Sequence, residues 1–473
     1  MNVYDAETMH AVLASAGYRP VERAEEAGVV VITTCAVRES AEERIWGRLG
    51  EFKNWKAKRE GRKVVVTGCM AENLGEAIWK RAPFVDLLVG TANFERVAEL
   101  LDEQSRETRP LSALGVPRGK IPVGFELPSI AMLAQQTGRQ ASKDAAPASA
   151  ASAPRVEHPA AEGTGFATWI DRPATGLHSF VKIMEGCDHF CTYCIVPFTR
   201  GKERSRAAEE IERDVRRVVE RGVREITLLG QNVNSYGKGL LPRVRFSDLL
   251  ARLDAVPGLL RIRFTTSHPQ DCPPDLIDAM RDLPRVCEHF HLPFQSGSDR
   301  ILLAMNRKYS GEQYWELVQR VRAGVPGVSL TTDVIVGFPS ETEEDFEATV
   351  RLLDRAQFDA AYLFKFSPRE GTPAATMGGA VADDVQDRRL QALLRMQNRI
   401  SARTSEAYVG RDVEVLVEGP SDRDPQKMVG RTRTFKTAVF SGDPAWRGSE
   451  VPVRVARSST QTLHGEARVG VAV

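Results

Sequence analysis

This chain of 473 residues has little of three things: long apolar runs, net charge and cysteine. No apolar run approaches the roughly 18 residues that cross a bilayer, and the N-terminus lacks the basic and then apolar pattern of a signal peptide. We therefore expect no membrane partner. A net charge of +1 excludes a global basic field, so a nucleic-acid partner must be held by local patches. Seven cysteines, five of them in cluster-like settings, indicate a reduced, cytoplasmic protein rather than a disulfide framework.

Three of the cysteines lie in one short stretch. Cys187, Cys191 and Cys194 follow the spacing Cys-x3-Cys-x2-Cys, with no fourth nearby. Three such thiolates can hold three irons of a four-iron, four-sulfur cubane and leave one iron open to a ligand. Zinc would want a fourth ligand, and His189 lies inside the loop, where it could hardly complete a tetrahedron. The spacing is the signature of the radical S-adenosylmethionine (SAM) superfamily, whose open iron binds SAM.

The N-terminal part alternates helical and strand patterns. Apolar, β-branched runs predict strands at 28–32, 64–67 and 84–89, which implies a parallel α/β sheet. Cys35 and Cys69 each follow a strand, at the edge where open α/β sheets bind ligands. A shared iron–sulfur cluster is therefore favoured over two unrelated core cysteines. Because two cysteines are too few for a cubane, we expect a first strand and a third cysteine ahead of the present start.

A larger βα rhythm follows a stretch rich in Ala, Ser, Pro and Gly, and that stretch predicts a linker. Strands are predicted at six places: 179–184, 225–229, 261–266, 289–294, 330–338 and 361–367. Six βα units are too few for an eight-stranded barrel, so we expect a partial barrel that is open along one side. The cysteine loop follows the first of these strands, which places it at the C-terminal mouth of the barrel.

The last segment predicts a small antiparallel β-barrel. Strand patterns at 412–418, 432–440 and 450–456 are separated by Gly and Pro. Four residues within it interleave cations with an aromatic ring, as RNA-facing surfaces often do: Arg431, Arg433, Phe435 and Lys436. A solvated β surface is the alternative, and charge alone does not decide between the two. The position of a small β domain after a catalytic barrel favours RNA binding.

Several residues beside the predicted barrel mouth could contact SAM or substrate. Tyr193 is placed to pack against an adenine, and glycine at a strand end lets backbone approach a ligand. The polar and glycine candidates at the ends of the second, fourth and fifth barrel strands are Gln231, Asn232, Gln295, Ser298, Asp333 and Gly337. Polar turns that satisfy their own side chains are the alternative. Cys272 and Cys287 are interpreted as structural.

Five stretches carry a resemblance to a known family. The stretch 186–201 contains Gly-Cys-Asp-His-Phe-Cys-Thr-Tyr-Cys and ends in Pro-Phe-Thr-Arg-Gly. Residues 230–236 read Gly-Gln-Asn-Val-Asn-Ser-Tyr, 291–298 read His-Leu-Pro-Phe-Gln-Ser-Gly-Ser with Met-Asn-Arg at 305–307, and 332–339 read Thr-Asp-Val-Ile-Val-Gly-Phe-Pro. These stretches resemble the radical-SAM methylthiotransferases, over nearly the whole chain except residues 103–175. The resemblance is strongest to the bacterial tRNA branch that makes 2-methylthio-N6-isopentenyladenosine.

The resemblance implies an α/β protein with four parts. These are a methylthiotransferase domain at 1–104, a linker at 105–175, a radical-SAM partial (βα)6 barrel at 176–404 and a TRAM RNA-binding barrel at 405–473. It implies two 4Fe-4S clusters, one on the three loop cysteines and an auxiliary one on Cys35 and Cys69. The family's third auxiliary ligand lies in a Gly-Cys-Gln-Met-Asn motif, and this sequence begins at the Met-Asn.

The activity implied is SAM-dependent methylthiolation of C2 of N6-isopentenyladenosine at position 37 of tRNA. The open alternatives are threonylcarbamoyl-adenosine in tRNA, a ribosomal-protein aspartate, or a non-catalytic iron–sulfur RNA-binding protein. The partners implied are the tRNA anticodon stem-loop, a sulfur source and an electron donor such as flavodoxin or ferredoxin. We expect the protein to be a monomer.

Overall fold

The N-terminal domain is a four-stranded parallel sheet in the order β1-β2-β3-β4. A computed structural model describes residues 1–36, 39–107, 109–115 and 176–468. The strands are β1 (Val29–Thr34), β2 (Lys63–Gly68), β3 (Leu87–Val89) and β4 (Leu111–Ala113). The helices are α1 (Asn2–Ser15), α2 (Glu39–Ala57), α3 (Cys69–Leu74), α4 (Ala77–Arg81) and α5 (Val97–Glu107).

Both faces of this sheet are buried, as the continuous apolar runs of its strands require. Val64 and Val66 pack into one apolar cluster with α2, while Val65 packs into a second cluster with α1 and α5. The strand β4 lies beyond the predicted domain boundary at residue 104, so the N-terminal domain is longer than the sequence indicated. Residues 108 and 116–175 of the predicted linker lie outside the described part of the chain.

The second domain confirms the predicted partial barrel of six parallel strands. They form two three-stranded sheets, β5-β8-β9 and β10-β11-β12, which an isolated bridge between Ile262 and Val286 joins. The strands are β5 (His178–Lys182), β8 (Glu225–Leu229), β9 (Arg261–Phe264), β10 (His289–His291), β11 (Ser329–Val336) and β12 (Ala360–Lys365). A short antiparallel pair, β6 (Met184–Glu185) and β7 (Arg204–Ser205), frames the cysteine loop.

Eight helices surround these strands in the described chain. They are α6 (Val196–Arg200), α7 (Ala208–Glu220), α8 (Phe246–Asp254), α9 (Pro274–Asp282), α10 (Asp299–Ala304), α11 (Gly311–Gly324), α12 (Glu343–Ala356) and α13 (Asp383–Glu406). Alternate strand residues such as Ile226, Ile262 and Phe290 pack outward against the helices in one large core. Their neighbours along the strands are polar, for example Thr227 and His291, so the inner face is not a simple apolar core.

The third domain is a closed five-stranded barrel in the order β13-β14-β15-β17-β16. Its strands are β13 (Asp412–Ser421), β14 (Asp424–Thr432), β15 (Thr437–Ser441), β16 (Glu450–Ser458) and β17 (Thr462–Ala467). All neighbouring strands run antiparallel except β15 and β17, which are parallel. The prediction of a single strand at 432–440 is wrong, because a turn separates β14, which ends at Thr432, from β15, which begins at Thr437. Phe435 lies in that turn at a φ of 67°, a conformation that a continuous strand does not allow.

None of the helices in the described residues is long and apolar enough to cross a membrane.

Candidate active site

The cysteine loop lies between β6 and α6, at the carboxyl end of the first barrel strand. Cys191 is buried, and the backbone N–H of Cys187 donates to the carbonyl of Gly201 at 3.1 Å. Burial raises the pKa of the Cys187 thiol well above its usual value, and the neighbouring Cys194 and Cys191 raise it further. Burial also raises the pKa of Cys194 to about 12. Cys191 is thus buried in the loop, while Cys187 and Cys194 are partly exposed.

Glycine at position 186 makes the loop possible. Gly186 has a φ of +84°, and a Cβ there would overlap the backbone of Lys202 and Gly201. Its N–H donates to Oε1 of Gln231 at 2.6 Å. Gln231, predicted to contact SAM, thus supports the loop that carries the first cysteine, and its contact with SAM stays a prediction.

A buried cation accompanies the three thiols. The Arg307 guanidinium lies 3.9 Å from Sγ of Cys191 and donates to the carbonyl of Pro293 at 3.0 Å. The neighbouring Asn306 donates to the backbone carbonyls of His189 and Phe190, inside the loop. Sequence reasoning included these two residues in a matching stretch without giving either a role. A positive charge beside thiolates stabilises them, so Arg307 suits a cluster with anionic ligands.

Two histidines and two polar side chains form a network beside the loop. The rings of His189 and His268 stack at 3.7 Å between centroids. Nε2 of His189 lies 2.5 Å from Oδ2 of Asp271, and the Asn232 amide donates to the same carboxylate oxygen at 2.6 Å. His189, His268 and Asp271 offer ligand atoms within 4.8 Å of one another. However, parallel stacked rings direct their nitrogen lone pairs side by side rather than at one ion.

The other residues predicted to contact SAM or substrate lie at the same end of the barrel, and several of them form hydrogen bonds within the protein. The hydroxyl of Ser298 caps α10 and donates to Oδ1 of Asp345 at 2.6 Å, and its contact with SAM or substrate stays a prediction. Asp333 lies 3.4 Å from Nε2 of His291. Gln295, at a φ of +66°, exchanges backbone hydrogen bonds with β11 through Asp333 and Ile335.

Two further residues border this group. Tyr193 is half-buried and packs in an apolar cluster with Met305 and Phe338. The N–H of Gly337 donates to Oε2 of Glu341 at 2.6 Å. Contact of Tyr193, Gln295, Asp333 or Gly337 with SAM stays a prediction.

The two N-terminal cysteines follow the carboxyl ends of two paired strands, as the strand pattern predicted. Thr34 and Gly68 are register partners at the ends of β1 and β2. Cys35 directly follows Thr34, and Cys69 directly follows Gly68. Gly68 has a φ of +96°, and a Cβ there would lie 2.5 Å from the carbonyl oxygen of Thr34. Burial raises the pKa of the Cys69 thiol, and the charge of Cys35 raises it further.

Cys69 faces the cysteine loop of the barrel. Cys69 and Ala36 pack against Ile195 and Phe198, which belong to the segment directly after Cys194. Cys69 is also among the charges that raise the pKa of Cys194. The fold therefore brings the two sets of cysteines together at one domain interface.

Three family models match the chain in sequence. The Radical SAM superfamily matches residues 181–353, the Uncharacterized protein family UPF0004 matches residues 1–90, and the TRAM domain matches residues 406–467. A tRNA-2-methylthio-N(6)-dimethylallyladenosine synthase from Moorella thermoacetica is 45% identical over 98% of this chain and 96% of its own length. A synthase of the same name from Alkaliphilus oremlandii is 42% identical over 98% and 90%.

The chain belongs to the radical-SAM methylthiotransferases. Among solved structures, the radical S-adenosylmethionine methyltransferase TsrM from Kitasatospora setae matches with a TM-score of 0.53 at 14% identity, over 79% of this chain and 74% of that one. This likeness supports the fold alone. The cofactors of a methylthiotransferase of this kind are 4Fe-4S clusters and SAM.

The barrel residues fit a cluster. Cys187, Cys191 and Cys194 are free thiols, one buried and two partly exposed, and Arg307 supplies a compensating positive charge. Soft thiolate ligands are those that iron–sulfur clusters take. The predicted structural cysteines lie elsewhere: Cys287 is buried in the barrel, and burial raises its pKa to about 11. Burial likewise raises the pKa of Cys272 to about 12.

Two of the four predicted RNA contacts of the small barrel form ion pairs with the radical-SAM barrel. Arg433 pairs with Glu288 at 2.7 Å and Lys436 pairs with Asp359 at 3.1 Å. Both cations are therefore paired with barrel carboxylates, and their contact with RNA stays a prediction. Arg431 lies 5.1 Å from the centroid of Phe435, and that ring is 42% exposed. For Arg431 and Phe435, contact with RNA stays a prediction.

Proposed function

We propose that this protein replaces the C2 hydrogen of N6-isopentenyladenosine at position 37 of tRNA with a methylthio group. The observation that carries the proposal is the meeting of two cysteine sites at one interface, in a chain whose full-length relatives are named for this product. A carbon–hydrogen bond at an unactivated ring position offers no acid–base handle. When bound, the clusters and SAM supply the radical chemistry and the methylthio group that this substitution needs.

The residues of the chain would hold and orient these groups. Cys187, Cys191 and Cys194 would hold the barrel cluster, with Arg307 balancing its charge. Cys35 and Cys69 would be ligands of the auxiliary cluster, facing the barrel loop across the domain interface. Apolar packing around Cys69 keeps water from this interface, which protects reactive species during the reaction.

The tRNA anticodon loop suits this arrangement. A base in that loop is unpaired, so extruding it costs less than flipping a base from a duplex. The barrel is open between its first and last strands, β5 and β12, which do not pair with one another in the described structure. We propose that the base enters there and that the TRAM barrel holds the stem. An electron donor such as flavodoxin or ferredoxin, a sulfur source and a cytoplasmic location complete the proposal.

The decisive experiment is a nucleoside analysis under strictly anaerobic conditions. Reconstituted protein is incubated with SAM, a reductant, sulfide as the sulfur source and tRNA that carries isopentenyladenosine but no methylthio group. We expect 2-methylthio-N6-isopentenyladenosine in digested tRNA by mass spectrometry, and 5′-deoxyadenosine in the supernatant. The matched control is the Cys187→Ala/Cys191→Ala/Cys194→Ala variant, which should form neither.

Two further substrates separate the alternatives. tRNA that carries threonylcarbamoyl-adenosine instead should give no methylthio product, and neither should tRNA with unmodified adenosine. Product on the threonylcarbamoyl substrate alone would move the assignment to that nucleoside. Cleavage of SAM without product on any tRNA would contradict tRNA methylthiolation, and absence of SAM cleavage would favour a non-catalytic iron–sulfur protein.

A further inference from the structure

Arg200 joins the two domains at the point where their cysteines meet. It is the last residue of α6, the helix that follows the cysteine loop, and its side chain is 3% exposed. Its guanidinium donates to Oδ2 of Asp5 at 2.5 Å and to Oε1 of Glu185 at 3.0 Å. Asp5 belongs to α1 of the N-terminal domain, whereas Glu185 belongs to β6 beside the cysteine loop. One buried side chain therefore bridges two carboxylates from different domains.

The segment that ends at Arg200 also packs against an auxiliary cysteine. The helix that ends at Arg200 contacts Cys69 through Ile195 and Phe198, and the Thr91 hydroxyl donates to its backbone at Thr199. Through α6, the barrel therefore contacts the end of the N-terminal sheet that carries Cys69.

The chemistry of arginine explains why this position suits it. A guanidinium presents five donors in one plane, so it can serve two carboxylates at once. A lysine ammonium is a compact charge on a flexible stem and cannot hold both carboxylates in fixed directions. Because both carboxylates are buried, removing the cation takes the ion-pair partner from Asp5, and α1 loses this ion pair with the barrel. Glu185 keeps its pair with Lys182 at 3.4 Å.

We propose that Arg200 is a positioning residue that fixes Cys69, and with it the auxiliary cluster, against the cluster-bearing mouth of the barrel. The inference rests on the proposed methylthiotransferase function. Arg200 is not needed to hold the three loop cysteines, since it touches none of them in the described contacts. Its loss should therefore uncouple the two halves of the reaction: SAM is still cleaved, but the methylthio group is no longer delivered at the right place.

The test compares Arg200→Gln with Arg200→Lys, in the full chain, under the anaerobic assay described above. We expect Arg200→Gln to cleave SAM but to form roughly a hundredfold less methylthiolated nucleoside, because misplacement by about 1 Å can cost this much. Arg200→Lys, which keeps the charge, should recover part of the product. The ratio of 5′-deoxyadenosine to product is decisive, because general destabilisation would lower both together.

Amide hydrogen exchange on the metal-free proteins gives a readout that needs no cluster. Arg200→Gln should speed exchange in residues 2–15 and 69–74, which pack at the interface. The matched control is Arg206→Gln: Arg206 is also a buried arginine paired with a carboxylate, Asp214 at 2.6 Å, but lies within the barrel. That variant should speed exchange around its own site and leave residues 2–15 unchanged.

The outcomes are separable. Unchanged exchange in residues 2–15 and 69–74 of Arg200→Gln would overturn the proposal, as would a fall of SAM cleavage and product by the same factor. If the wild-type protein forms no methylthiolated tRNA, the proposed function fails while the exchange result still decides whether Arg200 fixes Cys69.

Discussion

The Arg307 guanidinium lies 3.9 Å from the sulfur of Cys191 and is buried with it. Changing Arg307 to Gln removes a positive charge beside the cluster ligands, so the oxidised cluster is favoured and its reduction potential should fall. A hydrogen bond to a charged group contributes about 1.5 kcal/mol or more, which is roughly 60 mV for a one-electron couple. Redox titration followed by electron paramagnetic resonance measures the shift.

The control for this change is Arg322→Gln. Arg322 is a half-buried arginine of the same barrel that donates to the carbonyls of Ala356 and Gln357, in the helical layer. Its replacement should leave the potential of the barrel cluster within experimental scatter. An unchanged potential in Arg307→Gln would show that the charge of Arg307 does not act on the cluster.

The docking of the small barrel depends on a fully buried arginine. Arg261 is not exposed at all, and it donates to Oε1 of Glu450 at 2.6 Å and to the carbonyl of Arg431 at 2.6 Å. Arg261→Met leaves Glu450 without this partner, so we expect a loss of about 3–5 kcal/mol of stability and easier proteolytic release of the small barrel. Urea unfolding and limited proteolysis measure the two effects.

Arg454→Ala is the matched surface control. Arg454 belongs to the same small barrel, is about half exposed, and pairs with Asp412 at 3.5 Å. Because water screens this pair, its loss should cost no more than about 1 kcal/mol. Equal effects of the two variants would contradict the view that the buried contacts of Arg261 hold the domains together.

Local sequence patterns predicted the strands and the cysteine positions, but not the contacts between domains. The six barrel strands and both cysteine edges followed from local patterns, namely apolar runs and the residues directly after them. The partners of Arg433 and Lys436 did not, because Glu288 and Asp359 lie far away in the chain and in another domain. A cation beside an aromatic ring has the same local pattern whether it faces RNA or a neighbouring domain. The contact between Arg200 and Asp5 could not be predicted for the same reason, because Asp5 lies in another domain.

Asp345 should make stability depend on pH. Burial alone would raise the pKa of this carboxyl, but hydrogen bonds from Arg300 and Ser298 bring it below its usual value. A pKa lowered by folding stabilises the protein above the unfolded value of 3.8, and this contribution is lost as pH falls through the folded pKa. Asp345→Asn should therefore lower the free energy of unfolding by about 2 kcal/mol near pH 7, with a shrinking difference in acid.

Urea unfolding of metal-free protein at a series of pH values checks this dependence. The control is Glu347→Gln on the same helix, where the carboxylate is 62% exposed and lies 3.6 Å from Arg351. That variant should differ from the wild type by no more than about 0.5 kcal/mol at any pH. A difference for Asp345→Asn that stays constant into acid would rule out its ionisation as the cause.

Alanine substitution at two glycines with the same φ distinguishes backbone strain from a steric clash at the cluster loop. Gly186 and Gly239 both have a φ of +84°, but a Cβ would overlap the carbonyl of Lys202 at Gly186 and meet nothing within 4 Å at Gly239. Gly239→Ala should cost only the left-handed strain, about 1–2 kcal/mol, and keep its iron. Gly186→Ala must also displace the backbone that holds Cys187, so it should lose most of the barrel iron after anaerobic reconstitution. The measurement is iron and acid-labile sulfide per chain in the two variants. Equal iron in both would mean that the loop adjusts to the added methyl group.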